Sequence, residues 1–269
     1  MMSMSDYIVA NLRFRVVGPA SELFATHLPG FKPFTVEADA CVECDMVVEC
    51  VFLRSEEHYI LTITNAEQQH IFTSKRDDSG CVRTNAGGAN MNPSFVRFGV
   101  WFMLNIVAVQ HSVAAVHSSV IVCHNEAVMF LGESGTGKST HTRLWRENIE
   151  GATLLNDDSP FVGVQNGQVV AFGSPWSGKT PCYKNESYPI RAIVRLSQAP
   201  HNSMRRLRSL FSVGALLPSL PPAFAFDEKL EDAVMNVLSA VIGAVPVYHL
   251  ECLPNAAAAQ LSHDTIFGE

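Results

Sequence analysis

Eight consecutive residues carry the densest chemical signal in this sequence. Gly132-Glu133-Ser134-Gly135-Thr136-Gly137-Lys138-Ser139 satisfies in full the pattern GxxxxGK followed by Ser or Thr, and Thr140 adds one more hydroxyl. Glycines at this spacing let the backbone turn inward, so that successive N–H groups face one anion, and a helix starting at the loop's end adds its positive pole. Lys138 can then reach β- and γ-phosphate oxygens while the Ser139 hydroxyl suits magnesium, so the pattern predicts a nucleoside triphosphate site taking ATP and Mg. A glycine turn with a surface lysine explains neither the third glycine nor the hydroxyl behind the lysine.

A second group lies about twenty residues on, at Asn156-Asp157-Asp158. Magnesium wants oxygen ligands, and a neighbouring carboxylate can take the proton of an attacking hydroxyl, so Asp157 is assigned to the metal and Asp158 to the base. Neighbours on a strand point to opposite faces; both acids serve one site only where the strand is ending.

A third group is Gly173-Ser174-Pro175-Trp176-Ser177-Gly178-Lys179-Thr180, followed by Lys184, Arg191 and Arg195. In a chain low in charge, this basic segment predicts an anionic or phosphate-contacting surface, with Trp176, Lys179, Lys184 and Arg191 as candidates for holding the acceptor. The alternative is a rigid turn with Trp176 packed on the core. Arg143, on the helix after the loop, faces the nucleotide or solvent and shares a face with Arg146. Arg205, Arg206 and Arg208 lack the interleaved aromatics of a nucleic-acid platform and read as a solvated helix face or partner contact. Cys41 and Cys44 have CxxC spacing with Cys50 nearby, yet no second ligand pair completes a zinc site, which leaves buried thiols in a β-rich region.

These groups need elements to position them. Up to about residue 90 the chain reads as short strands at Leu12 to Val17, Phe34 to Glu37, Met46 to Leu53, His58 to Thr64 and His70 to Thr73, with Lys75 to Gly80 and Asn85 to Pro93 as turns. Ser94 to His111 has the apolar spacing of a buried helix. Ser118 to Cys123 and Ala127 to Leu131 form an expected hairpin whose second strand runs into the glycine loop. A helix is expected over Ser139 to Glu147 and a strand over Ala152 to Asn156. Val162 to Val164 and Val169 to Phe172 form a hairpin about Asn166-Gly167. Ala192 to Leu196 reads as a central strand and Met204 to Leu210 as helix. Glu228 to Ile242 reads as a helix capped by Asp227 and stopped by Gly243 and Pro246, and Val247 to Cys252 as the last strand. Leu216 to Phe226 reads as a loop. The pattern divides the chain into a β-rich part, 1–110, and a nucleotide-binding part, 111–269.

The run GESGTGKST at 132–140 with its internal Glu133, the strand ending in Asp157-Asp158, and His117 ahead of the loop together resemble the catalytic domain of HPr kinase/phosphorylase. They also resemble the related serine kinases of peptide modification and the nucleotide site of ATP-dependent phosphoenolpyruvate carboxykinase. The resemblance covers about residues 112–255. It implies an α/β fold whose phosphate-loop core has a mixed, largely antiparallel sheet, here joined to a β-rich N-terminal part. It implies that Asp158 serves as base for an acceptor serine, that Asp157 lies by the metal, and that His117 stands near the reaction centre. Ser159 occupies a position where the family kinases usually carry arginine.

The expected function is therefore Mg-ATP-dependent transfer of a γ-phosphate to a hydroxyl of a small molecule or of a peptide or protein serine. Carboxykinase-like or phosphatase chemistry at the same site, and a non-catalytic nucleotide sensor, are the alternatives. The 269 residues are 47% apolar and 17% charged, which suits a globular chain with enough core for one large or two modest domains. A net charge of -7 argues against nucleic acid and membrane partners. Seven cysteines with no leader-like segment point to the cytoplasm, and a homo-oligomer is compatible with the resemblance. Phe95 to Phe130 is interrupted by polar residues and is not read as a membrane span.

Overall fold

The computed structural model describes residues 3–48, 59–64, 69–76, 81–84, 92–221 and 227–268. They form an α/β structure with mixed sheets, dividing into two units, Met1–His111 and Ser112–Glu269.

In the first unit, β1 (Met4–Val9) and β2 (Leu12–Val17) make a hairpin turned by Ala10 and Asn11, both left-handed at φ 50° and 66°. Next come α1 (Pro19–His27), a 3-10 turn over Pro29–Phe34, β3 (Thr35–Val36), β4 (Met46–Val48), β5 (Tyr59–Thr64), β6 (Gln69–Arg76), β7 (Val82–Thr84) and α2 (Pro93–Gln110). The sheet order is β3-β1-β2-β4-β7-β6-β5. Tyr7, Phe14, Phe24 and Phe31 pack ring on ring to make its aromatic core. Opposite them, buried Asp6 is held by Arg13 and Arg15 at 2.8 Å each. Helix α2 starts at Asn92, whose side chain accepts from the Ser94 amide. It is apolar and long enough to cross a bilayer, and 56% of it is buried, as in core helices.

Several expectations change here. β1 and α1 were not foreseen, and Phe34 ends a 3-10 turn instead of starting a strand. Lys75 and Arg76 extend β6 where a turn was expected. Cys41 is exposed and Cys44 half-buried, in a segment that pairs with no strand, so they are not the buried thiols expected. Cys50, residues 49–53 of the third expected strand, and most of the two turns lie outside the described residues.

The second unit comprises β8 (Val113–Ala115), β9 (Ser118–Cys123), β10 (Glu126–Leu131), α3 (Lys138–Asn148), β11 (Thr153–Asp158), β12 (Phe161–Gln165), β13 (Gln168–Phe172), β14 (Ser187–Gln198), β15 (Ser203–Arg206), α4 (Ser209–Leu216), α5 (Glu228–Ala244), β16 (Val247–Cys252) and α6 (Ala256–Phe267). The sheet order is β11-β9-β10-β14-β13-β12-β8, with β16 also on β14 and β15 on β16. β10 runs antiparallel to β9 but parallel to β14, and β14 parallel to β16. Both hairpin turns are left-handed pairs: His124 and Asn125 between β9 and β10, Asn166 and Gly167 between β12 and β13. Helices α3 and α6 pack together, α3 also on β9, β10 and β11, and enclose a core that includes Phe130, Trp145, Val194 and Leu250. Each such large side chain contributes roughly 1.5–3 kcal/mol through its burial. Helix α5 lies on β8, β12 and β13.

The expected helix over Met204 to Leu210 is instead β15 followed by the start of α4. The edge of β16 offers unpaired backbone groups, and pairing Ser203 through Arg206 with Glu251 through Tyr248 satisfies them, which outweighs the local helical preference. Gly243 lies inside α5, which runs on to Ala244. The expected loop from Leu216 contains the end of α4 and a 3-10 turn over Leu217–Ser219, and residues 222–226 lie outside the description.

Candidate active site

The glycine loop begins where β10 ends, flanked by β9 on one side and β14 on the other. Gly135 and Gly137 take left-handed φ values of 85° and 109°, and a Cβ on Gly132 would stand 3.0 Å from the Thr136 side chain. The Thr136 hydroxyl and amide both donate to the Glu133 carbonyl, at 2.8 and 3.1 Å, and close the turn. Helix α3 then starts at Lys138, with the amide of His141 donating to Gly137.

The Lys138 ammonium donates to the carbonyls of Gly132 at 2.7 Å and Glu133 at 3.3 Å, and lies 3.0 Å from His117 Nε2. Burial lowers its pKa, an effect that Asp158 and Asp157 oppose. On its other side, Nδ1 of His117 lies 3.3 Å from Asp158 Oδ1. With Nδ1–H donated to the carboxylate, the Nε2 lone pair faces the ammonium, so one imidazole links Asp158 to Lys138.

The acids sit at the end of β11, which bulges between Leu154 and Asn156 against β9. The Ser139 hydroxyl donates to Asp157 Oδ1 at 2.9 Å. The other oxygen, Oδ2, is buried and is the one buried side-chain polar atom among the described residues without a hydrogen-bond partner. An orphaned anionic oxygen beside a hydroxyl is costly unless a cation completes it, and this all-oxygen pair suits a hard ion such as magnesium. Asp158 is more open, and both acids line one cleft of about 370 Å³ together with His117, Lys138, Ser139 and Lys179.

Behind the acids a buried network fixes the 173–180 segment. Asn156 Nδ2 donates to Ser174 Oγ and the Trp176 carbonyl, both at 3.1 Å, and its Oδ1 accepts from the Ser159 amide at 3.0 Å. Ser177 bridges to Asp158, and the Gly178 amide donates to the Asp157 carbonyl. A Cβ at Gly173 would fall 2.0 Å from the Lys184 carbonyl, so only glycine fits there.

Four candidates lie away from the cleft. Trp176 is 3% exposed and packs against Phe161, so it anchors the turn from inside. Arg143 pairs with Glu147 at 2.8 Å along the exposed side of α3 and does not line the cleft. Lys184 faces Glu186 at 3.9 Å. Arg191 donates to the Ile266 carbonyl and lies over the Phe267 ring, 5.9 Å from its centroid. The parallel pairing explains this placement: Ile190 aligns with Ala127 at the start of β10, whereas Arg195 aligns with Leu131 next to the loop. Arg195, which approaches Glu133 at 3.7 Å, is thus the downstream arginine at the site, and only knowledge of the β10–β14 register could have singled it out.

A second cavity of about 630 Å³ opens from the same loop and shares Gly135, Gly137 and Thr140 with the cleft. Its far wall is formed by Leu196, Ala199, Leu253 and Pro254, and Gln198 donates to the Gly135 carbonyl at 3.2 Å. At its edge His141 is buried between Trp145 and Ser262, and this burial pulls its pKa down to about 4. Neither the groove nor His141 was foreseen, since both need β14, β16 and α6 to be assembled.

No protein-family model and no curated protein matches this sequence. Among solved structures, the HPr(Ser) kinase/phosphatase from Coxiella burnetii aligns over 57% of this chain and 88% of its own, with 13% identity and a TM-score of 0.35.

Proposed function

We propose that the Ser112–Glu269 unit is an Mg-ATP-dependent phosphotransferase that passes the γ-phosphate to a hydroxyl, on a small molecule or on a serine of a peptide or protein. The observation carrying this reading is the unpartnered, buried Oδ2 of Asp157, whose other oxygen holds the Ser139 hydroxyl of a complete glycine-lysine loop. In this reading a phosphate-bound divalent cation is the partner of that oxygen.

In this reading the apolar groove beside Gly135 takes the base, and the loop amides surround the phosphates. Asp157 and Ser139 would hold magnesium, which when bound offsets charge on the phosphoryl group in transfer. Lys138 supplies a second positive charge opposite the phosphate oxygens. Asp158 accepts the acceptor's hydroxyl proton; as the acceptor oxygen bonds to phosphorus, the bond from phosphorus to the nucleoside diphosphate oxygen breaks, so ADP leaves with the electron pair. His117 holds the Asp158 carboxylate in place, and Lys179 on the rim faces an acceptor entering the cleft.

The test is transfer of labelled γ-phosphate across a panel of small alcohols, sugars and serine peptides. Asp158→Asn is expected to keep ATP binding and lose about 100-fold or more in turnover. Wild-type turnover in that variant removes the assigned base; failure of the wild type to bind Mg-ATP removes the whole reading.

A further inference from the structure

At the opposite end of β10 from the glycine loop, three metal-ligating side chains converge that have no part in the site above. Cys123 ends β9, His124 is the first residue of the β9–β10 turn, and His263 projects from α6; their ligand atoms all lie within 4.8 Å of one another. Two ligands on one zinc ion stand about 3.3–3.7 Å apart, given bond lengths of about 2.0–2.3 Å, so a small side-chain rotation closes the set. His124 is exposed, while Cys123 is buried.

The surroundings favour a metal over a chance meeting of rings. Nδ1 of His263 lies 3.0 Å from Asp264 Oδ1, which also accepts from Gln260 Nε2 at 2.8 Å. A histidine whose Nδ1–H is held by a carboxylate presents Nε2 in a fixed direction, as metal-bound histidines do. Phe267 stands 5.2 Å from the His124 ring and 5.3 Å from that of His263, giving the cluster one apolar wall.

We propose that Cys123, His124 and His263 form a zinc-type site that fastens α6 to the β9–β10 hairpin, with the fourth position open to solvent on the His124 side. Sulfur with two imidazoles is a donor set for a borderline-soft ion and a poor one for magnesium, so this site and the Asp157 site select different cations.

Cobalt(II) is the probe, added to chelator-treated full-length protein. One equivalent is expected to bind with an ultraviolet thiolate-to-cobalt band and the visible absorption of a four-coordinate ion, both displaced by zinc. Zinc is expected to raise the thermal midpoint by roughly 5 °C at a hundredfold excess over its dissociation constant. Cys123→Ser should abolish the thiolate band. Because Cys123 is buried, His124→Asn provides the safer variant: asparagine tolerates the left-handed turn at φ 53° yet removes the imidazole. It should weaken metal binding about 10- to 100-fold and cut the thermal shift by about half or more, and His263→Gln should do the same. Absence of a thiolate band in the wild type, its persistence in Cys123→Ser, or unchanged affinity in His124→Asn would each overturn the proposal.

Discussion

The Gly178 amide donates to the Asp157 carbonyl at 2.6 Å, and a Cβ on Gly178 would stand 2.9 Å from that same oxygen and 3.4 Å from Asp158 Cβ. This contact seats the 173–180 segment on the end of β11 and fixes where the two carboxylates lie. Gly178→Ala needs no unusual backbone angle, so its effect is steric and falls on the acid pair. Turnover is expected to fall about 10-fold or more, since small displacements of positioned groups cost that much or more. ATP affinity measured by calorimetry should change little, because the loop is untouched. Equal turnover in Gly178→Ala and wild type would show that the acids tolerate the shift.

His117 sits between Lys138 and Asp158, with both distances at or near hydrogen-bonding range. In the proposed reaction it is a positioning residue, so its loss should appear in kcat and not in nucleotide KM. His117→Ala is expected to lower kcat about 10- to 100-fold, and His117→Asn to recover part of that, because its amide can still donate toward Asp158. The side chain is half-exposed, so thermal midpoints should agree within about 2 °C. A purely structural role would reverse the pattern, with the midpoint moving and kcat intact.

Much of the second unit was legible because its signals are local. Residues 118–131 alternate little and are almost wholly buried, as an apolar run between turn residues implies, and Asn166-Gly167 names its own turn. The glycine loop and the acid pair could be read for the same reason. Long-range pairing could not: Arg205 and Arg206 look helical until β16 is beside them, and Arg191 and Arg195 look equivalent until β14 is set in register with β10. Helix α6 was missed although Asn255 caps it and four alanines follow, a start signal that composition alone offers. In the first unit, β1 escaped notice because Asp6 interrupts its apolar pattern; its charge is tolerated there because Arg13 and Arg15 both reach it.

The groove beside the loop gives a test of where the base lies. Ala199 is half-buried on its far wall, opposite Gly135 and Thr140. Ala199→Trp fills space in the groove without entering the cleft of Asp157 and Asp158. Nucleotide KM is expected to rise about 10-fold or more while inorganic triphosphate competes as well as it does in wild type, since the loop proposed to hold phosphates is unaltered. A parallel loss for both ligands would place the damage in the loop, and no loss for either would put the base elsewhere.

His141 ties the start of α3 to α6 and makes a distinct prediction for acid stability. The Trp145 indole N–H is shared between Ser262 Oγ at 2.9 Å and His141 Nε2 at 3.2 Å, so Nε2 must stay unprotonated to accept. Burial sets the folded pKa at about 4, against 6.5 for the free side chain. Above pH 6.5 neither state binds the proton and the residue has no effect. Between 6.5 and 4 the unfolded chain takes up a proton that the native state refuses, so stability falls as pH falls, by about 3 kcal/mol once pH 4 is reached. Glutamine keeps an acceptor and cannot titrate. Urea unfolding at pH 7 and pH 4.5 should therefore show the wild type losing about 2.5 kcal/mol more than His141→Gln over that interval, a difference from which carboxylate titration cancels because both proteins share it. Parallel pH curves for the two would mean that the α3–α6 contact opens to admit the proton, and that His141 reaches water through the groove beside it.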